Sequence, residues 1–274
     1  MPVISTNTAA NSAVRYLNIN SAQMSSSLSK LSSGSKITQA SDDAAGLAIS
    51  TRISSDITTL QQAATNASQA TSILQTADGG ASNISDILSR MKSLASQSSS
   101  GTVTDSSRAY LNSEFTALSD QIDSIATGTR YSGQSLLDGT SAFASGAAVL
   151  VGSTSADTIT VTLSDLQSST LGVSTLDIST QTGATSAIDA LDTAIDTVSA
   201  ARATIGAQES RFNFSASSIS TQSQNLQAAN SAITDVDIAA EQAKLSSAQV
   251  KVQAAVAAES SANQMPQYLL KLLG

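Results

Sequence analysis

Cysteine, histidine and tryptophan are absent from this chain, and its two prolines, Pro2 and Pro266, stand near its ends. Without Cys or His there is no disulfide, no thiol nucleophile, no Ser-His-Asp triad and no zinc site built on imidazole or thiolate. The His-Glu-x-x-His pattern of a zinc peptidase is excluded for the same reason. Large side chains are scarce, aromatics making up 3% of the 274 residues and charged residues 12%. Such a chain is poorly supplied for the compact core of a conventional enzyme, since large apolar side chains provide most burial energy. Disorder throughout is excluded too, because disordered chains are rich in proline and charge. A proline-free interior instead suits long uninterrupted helices. No apolar run approaches the roughly 20 residues of a membrane span. The front has no continuous apolar segment of the signal-peptide kind, so it is expected to stay uncleaved apart from Met1. No cofactor and no metal is expected.

The net charge of −8 is unevenly placed. The first 41 residues hold three bases (Arg15, Lys30, Lys36) and no acid, whereas the span between Arg130 and Arg202 holds seven aspartates and no base. This balance argues against a nucleic-acid partner and places the acidic span toward solvent.

What the chain does carry is heptad spacing. Ile53, Ile57, Leu60, Ala64, Ala67, Thr71 and Leu74 alternate steps of four and three, the seam of a helix that winds against partners. The spacing predicts a helix from Ser41, with Asp42 and Asp43 complementing its positive end. Asp78-Gly79-Gly80 is its first expected break, so the segment to Ala77 spans roughly 55 Å. The pattern resumes at Ile84, Ile87, Met91 and Leu94 and dissolves over Ser96–Thr104. A second helix on Leu111, Phe115, Leu118, Ile122 and Ile125 is expected to fold back antiparallel. Ala148–Val151 and Thr158–Leu163 read as a β-hairpin, followed by Gly, Ser and Thr loops to Gly183. Helical spacing returns with Ile188, Leu191, Ile195, Val198 and Ile205, and then Phe212, Ile219, Leu226 and Ile233 stand seven apart. The last helix is read on a thin seam of Val236, Ala240, Ala243, Val250, Ala254 and Ala257. The front helix (Val14, Leu17, Met24, Leu28, Leu31) is expected to pair with it. Adjacent acids on a helix diverge, so Asp42-Asp43 and Asp235-Val236-Asp237 are read as helix-start charges and not as metal sites.

Several segments, in order, resemble bacterial flagellin. They are Ser27–Gly34 with Ile37, the run Asp42–Ala48 with Arg52, Arg130-Tyr131-Ser132-Gly133 through Leu136–Gly139, Ile205-Gly206-Ala207 with Arg211-Phe212, and Ala262–Pro266. The resemblance covers about Met1–Gly139 and Ala184–Gly274. It implies a mainly α protein of long antiparallel helices in a coiled-coil bundle, with a small β-hairpin in the middle. Residues 1–41 with 235–274 would form a terminal helix pair (D0), 42–138 with 184–234 a helical part (D1), and 139–183 the hairpin and loops. The chain is too short for the large outer domains of longer relatives. The implied function is the self-assembling subunit of an extracellular swimming filament. A hook–filament junction protein and a generic coiled-coil scaffold are the alternatives.

The resemblance also implies partners: further copies of the chain, sister flagellins, the flagellar type III export apparatus, a secretion chaperone and the filament cap. Self-assembly would rest on Val14, Leu17, Met24, Leu28, Leu31, Ile37, Val250, Met265, Leu269, Leu270 and Leu272. The core of the helical part would hold Ile53, Ile57, Leu60, Leu74, Leu111, Phe115, Leu118, Ile195, Phe212, Ile219, Leu226 and Ile233. Arg90, Leu94 and Glu114 match positions by which some flagellins engage an animal Toll-like receptor. The Ser and Thr of 139–183 are candidates for O-glycosylation.

Overall fold

A computed structural model describes residues 6–273, with Pro266 and residues 268–273 described by their backbone alone. The chain is mainly helical: α1 (Thr8–Ser33), α2 (Ala44–Ser99), α3 (Asp105–Gly128), α4 (Ala142–Ser145), α5 (Gln181–Thr234) and α6 (Ile238–Leu273). Four short strands lie between α3 and α5: β1 (Arg130–Tyr131), β2 (Gln134–Ser135), β3 (Ala147–Leu150) and β4 (Thr158–Val161). The chain divides into two compact units, one of residues 56–224 and one of residues 1–55 with 225–274.

In the unit 56–224, three helices pack through heptads. On α2 the buried seam is Leu60, Ala63, Ala67, Ala70, Leu74, Ala77, Ala81, Ile84, Leu88, Met91, Ala95 and Ser98, with Gly80 and Leu94 buried beside it. On α5 the seam is Ala184, Ala187, Leu191, Ala194, Val198, Ala201, Ile205, Gln208 and Phe212, with Ile219 buried one heptad farther on. Both sets alternate steps of three and four without interruption, which keeps each seam facing its partner. Helix α3 contributes Arg108, Phe115, Ser119, Ile122 and Ala126. Helices α2 and α5 run antiparallel. Arg202 Nε donates to Asp78 Oδ1 at 2.8 Å, and Lys92 pairs with Asp192 farther along.

The expected α2 seam is right in period and half right in membership. Leu60, Ala67 and Leu74 are buried, but Ala64 and Thr71 are half-buried while Ala63 and Ala70 take the core. The expected break at Gly79-Gly80 does not occur; α2 continues as one helix of 56 residues. Gly80 is there for space: a Cβ on it would lie 2.5 Å from Thr129 Oγ1 and 2.9 Å from Leu137 Cδ1. Helix α2 begins at Ala44 and not at Ser41. Asp43 Oδ1 accepts from Gly46 N at 2.8 Å as a cap, and Asp42 sits in the preceding turn. After Ser99 the chain turns, and the buried Arg108 donates through Nη2 to the Ser100 carbonyl at 2.9 Å, tying that turn to α3.

Strands β1 and β2 form a hairpin whose two turn residues, Ser132 and Gly133, have φ of 49° and 83°. Such a pair of left-handed residues matches the twist of the flanking strands. Strands β3 and β4 pair antiparallel, with Ala147 opposite Val161 and Leu150 opposite Thr158. The segment after β4 is more than surface loop, for Leu163, Leu166, Leu171, Val173 and Ile178 are buried in the core. Its backbone is satisfied by helix side chains, as a buried irregular segment requires. The Gln208 amide accepts from Thr162 N at 3.2 Å and donates to Thr162 O at 3.0 Å, standing in for a neighbouring strand. Asp123 accepts from Ser168 N and Oγ, each at 2.7 Å, and Asn112 Oδ1 accepts from Ile178 N at 3.0 Å.

Two pairs of neighbouring residues test this packing in thermal unfolding. Phe212 is fully buried and Phe214 is 77% exposed. Phe212→Ala is expected to cost about 3–5 kcal/mol, as loss of a core phenylalanine does, and Phe214→Ala within about 0.5 kcal/mol of nothing. Gly79 has no neighbour within 4 Å of an added Cβ, so Gly79→Ala should stabilise α2 by up to about 1 kcal/mol. Gly80→Ala should destabilise, because the Cβ meets Thr129 and Leu137. Equal melting temperatures for the members of either pair would refute the packing.

Candidate functional site

The unit formed by residues 1–55 and 225–274 brings the ends of the chain together. Helices α1 and α6 pack antiparallel along their length. Asn7 serves both helices: its Oδ1 accepts from Ala10 N at 3.0 Å to cap α1, and its Nδ2 donates to the Ala262 carbonyl at 2.8 Å. At the other end α1 stops at Gly34, left-handed at φ 72°. There the two connecting segments run side by side. Lys36 N donates to Thr234 O at 2.6 Å, Val236 N to Gly34 O at 3.0 Å, and Ser35 Oγ to Thr234 O at 3.2 Å. Asp237 Oδ1 accepts from Ala240 N at 3.0 Å and caps α6. Asp42 Oδ2 accepts from Thr38 N and Oγ1 at 3.0 Å and from Gln39 N at 3.2 Å, and these bonds hold its carboxyl below the usual range. Asp42, Asp43 and Asp237 are thus engaged in caps and turns, and Asp235 accepts from the Ser231 and Thr234 hydroxyls.

The seam between α1 and α6 is thin. On α1 its inward positions are Ala10, Ala13, Leu17, Asn20, Met24, Ser27 and Leu31; on α6 they are Glu241, Leu245, Ala248, Val252, Ala255, Glu259 and Ala262. Every step is three or four. Leu245 is the one large apolar residue of the two sets that is fully buried; Leu17, Met24, Leu31 and Val252 are half-buried. The expected pairing of the end helices is therefore present, but the α6 seam expected on Ala240, Ala243, Val250, Ala254 and Ala257 lies on the wrong face. Val250 is 65% exposed. The error is physical in origin: the true face begins at a carboxylate, which a reading by hydropathy discards.

That carboxylate, Glu241, is buried against Ser27, itself buried. Its Oε2 accepts from Lys244 Nζ at 2.9 Å. The hydrogen bond from Lys244, a second from the Ser27 hydroxyl and the charges of Lys244 and Lys30 hold the Glu241 carboxyl below the usual range. A buried polar pair in an otherwise small-apolar seam fixes one register between two helices that alanine alone would let slide. Sequence reasoning missed both partners; the one available signal was that Glu241, Leu245, Ala248 and Val252 keep the heptad step.

The outer faces of the same helices carry exposed apolar residues. Val14, Tyr16, Ile19 and Leu28 on α1, and Ile238, Val250, Val256 and Met265 on α6, are between 38% and 65% exposed. The residues expected to serve self-assembly thus divide. Leu17, Met24 and Leu31 turn toward the seam, Ile37 is half-buried, and Val14, Leu28, Val250 and Met265 face outward. Leu269, Leu270 and Leu272 lie outside the residues whose side chains are described.

Of the residues expected in the core of the helical part, Leu60, Leu74, Phe115, Phe212 and Ile219 are buried. Ile53, Ile57, Leu111, Leu118, Ile195, Leu226 and Ile233 are half-buried. Arg90 and Glu114 form an exposed ion pair at 2.7 Å, with Leu94 buried in the core of the unit 56–224. Among the described residues no group of His, Cys, Asp or Glu is placed to hold a metal ion, and no helix is long and apolar enough to cross a membrane.

Comparison with known proteins joins these observations. Residues 4–142 match the bacterial flagellin N-terminal helical region, and residues 188–273 match the bacterial flagellin C-terminal helical region. The chain is 38% identical over 273 residues to a flagellin of Halalkalibacterium halodurans, with 99% of each chain covered. It is 34% identical to a flagellin of Listeria monocytogenes, covering 98% of this chain and 99% of that one. The crystal structure of Bacillus cereus flagellin superposes with a TM-score of 0.52 at 33% identity, covering 61% of this chain and 94% of that one. With its two matched helical regions, its end-to-end likeness to proteins of its own length and its paired terminal helices, the chain belongs to the bacterial flagellins, the non-enzymatic subunits of the extracellular flagellar filament.

Proposed function

We propose that the outward apolar faces of α1 and α6 are the surfaces on which neighbouring subunits close, so that completing the terminal unit and joining the filament are one step. The observation that carries this reading is the split of apolar residues on those two helices. Their inward faces bury mostly alanine, each methyl contributing on the order of 0.8 kcal/mol, while a buried leucine or phenylalanine contributes about 1.5–3 kcal/mol. Val14, Tyr16, Ile19 and Leu28, with Val250, Val256 and Met265, remain in water until a second copy covers them. Helices held by so little tertiary contact are marginal, and ordering them on a partner couples folding to binding. Contacts between unlike faces that do not close on themselves give an open helical polymer. In this reading residues 1–41 with 235–274 assemble, and the remainder is the preformed body that they carry.

Export in an unfolded state through the flagellar type III apparatus, with a secretion chaperone behind it and the filament cap ahead, is supported by two features. The ends are marginal, and a chain without cysteine forms no disulfide that would jam a narrow channel. Sister flagellins with the same heptads would enter the same lattice. An animal receptor recognising this chain would meet Arg90 and Glu114 at the surface, with Leu94 acting from beneath them.

Deleting residues 269–274 is expected to leave the melting of the unit 56–224 unchanged and to abolish seeded polymerisation, read by electron microscopy; normal filaments from the truncated chain would end the coupled-folding account. The second prediction concerns acid. A carboxyl whose folded pKa is lowered contributes stability above its unfolded value, about 4.3, and loses it as pH falls through the folded value. Filaments should therefore weaken below about pH 4.3, and Glu241→Gln should flatten that part of the acid profile measured by sedimentation of polymer. An acid profile identical in shape to that of the parent would show that Glu241 does not contribute.

A further inference from the structure

Two glycines stand in the interiors of the long helices of the unit 56–224 with no packing neighbour among the described residues to account for them. On Gly79 of α2 and Gly206 of α5, no atom beyond the adjoining helix backbone lies within 4 Å of where a Cβ would be. Glycine weakens a helix interior relative to alanine, and Gly80 shows what an internal reason looks like. Gly206 differs from Gly79 in lining a cavity. About 360 Å³ of open space is bounded by Asp78, Ser199, Arg202, Ile205, Gly206 and Glu209. Its floor is the buried Ile205 beside bare glycine backbone, and one rim is the Arg202 guanidinium held by Asp78 at 2.8 Å. The other rim is Glu209, whose carboxyl is pushed above its usual range by burial and by the charge of Asp78. An apolar floor, a cation on one wall and a hydrogen-bonding carboxyl on the other match a phenol: ring on the floor and against the guanidinium, hydroxyl at the carboxyl.

The chain carries such a group in water. Tyr110, on α3, is 79% exposed. It stands one helical turn before Glu114, which pairs with Arg90 of α2, so Tyr110 lies level with Leu94 of α2, whereas the cavity lies level with Asp78. Along α2 that separation is roughly 25 Å at 1.5 Å per residue. A knob and a hole at different levels of one subunit join unlike faces, and the contact propagates instead of closing into a dimer. We propose that the Gly206 notch of one subunit receives Tyr110 of a second copy of this chain, setting neighbouring subunits at a stagger of about that length. This rests on the filament reading above and adds a contact formed by folded units and not by the terminal helices.

The structure supplies its own test, because the hole can be filled without disturbing the subunit. Gly206→Met is expected to keep or raise the melting temperature of the full-length monomer while slowing seeded elongation at least tenfold, followed by light scattering. Tyr110→Ala should slow elongation as much, and Tyr110→Phe should fall between. Phe214→Ala removes an equally exposed aromatic and should elongate as the parent does. Elongation of Gly206→Met and Tyr110→Ala at the parent rate overturns the contact while leaving the filament reading intact. So does a loss confined to Phe214→Ala. Failure of the parent chain itself to elongate in the same assay would count against both. If Gly206→Met melts lower than the parent, Gly206 is needed inside the fold and the proposal fails on that ground.

Discussion

Everything the terminal unit can do follows from how little α1 and α6 bury against each other. A seam of alanine, serine and a few half-covered larger residues lets two helices lie close but yields a small driving force. The core of the other unit is of a different kind. Phe115 and Phe212, with Leu60, Leu74, Ile84 and Leu88 of α2, are fully enclosed, and the extended segment after β4 adds Leu163, Leu166 and Val173 from a third side. The molecule thus separates a part with a large enclosed core from a part that buries little, and it is the second that the proposed assembly would complete. Glu241 and Ser27 belong to the second part. They contribute register rather than much net stability, which matters where alanines would accept several alignments.

Charge is divided along the same line. Residues 1–55 with 225–274 hold seven bases and six acids, whereas residues 56–224 hold six bases and fifteen acids. In the proposed assembly the terminal unit, being close to neutral, meets little repulsion when copies come together. The acidic unit keeps its charge where water and salt screen it over about 8 Å at physiological ionic strength. It supplies the solubility that exposed Val14, Ile19 and Val250 would otherwise erode.

The period of the heptads, the helix pairing and the β3–β4 hairpin were legible in the sequence because each rests on a local rule: alternating steps of three and four, a proline-free interior, β-branched runs around a Gly-Ser turn. Failures came where a residue's job depends on something distant in the chain. Gly79-Gly80 looks like a break, but Gly80 answers to Thr129 and Leu137. Glu241 looks like a solvent residue until Ser27 is placed against it. Gln208 sits in the α5 seam where a hydrophobe is expected, and its reason is the backbone of Thr162. The apolar residues of 163–178 have no period at all, being held by Asp123, Asn112 and Ser98 instead of by a ladder. Polar side chains that satisfy someone else's backbone leave no mark in hydropathy.

The hydrogen bond from Asn7 to Ala262 joins residues 255 apart, and this separation puts the seam last in time. Synthesis delivers α1 long before α6, so α1 waits for its partner while the residues between them are made. The helices of the other unit meet over shorter separations and can pair earlier, since closing a longer loop costs more entropy and slows folding. The order of events is thereby built into the topology: contacts within residues 56–224 close first, and the α1–α6 seam closes after them.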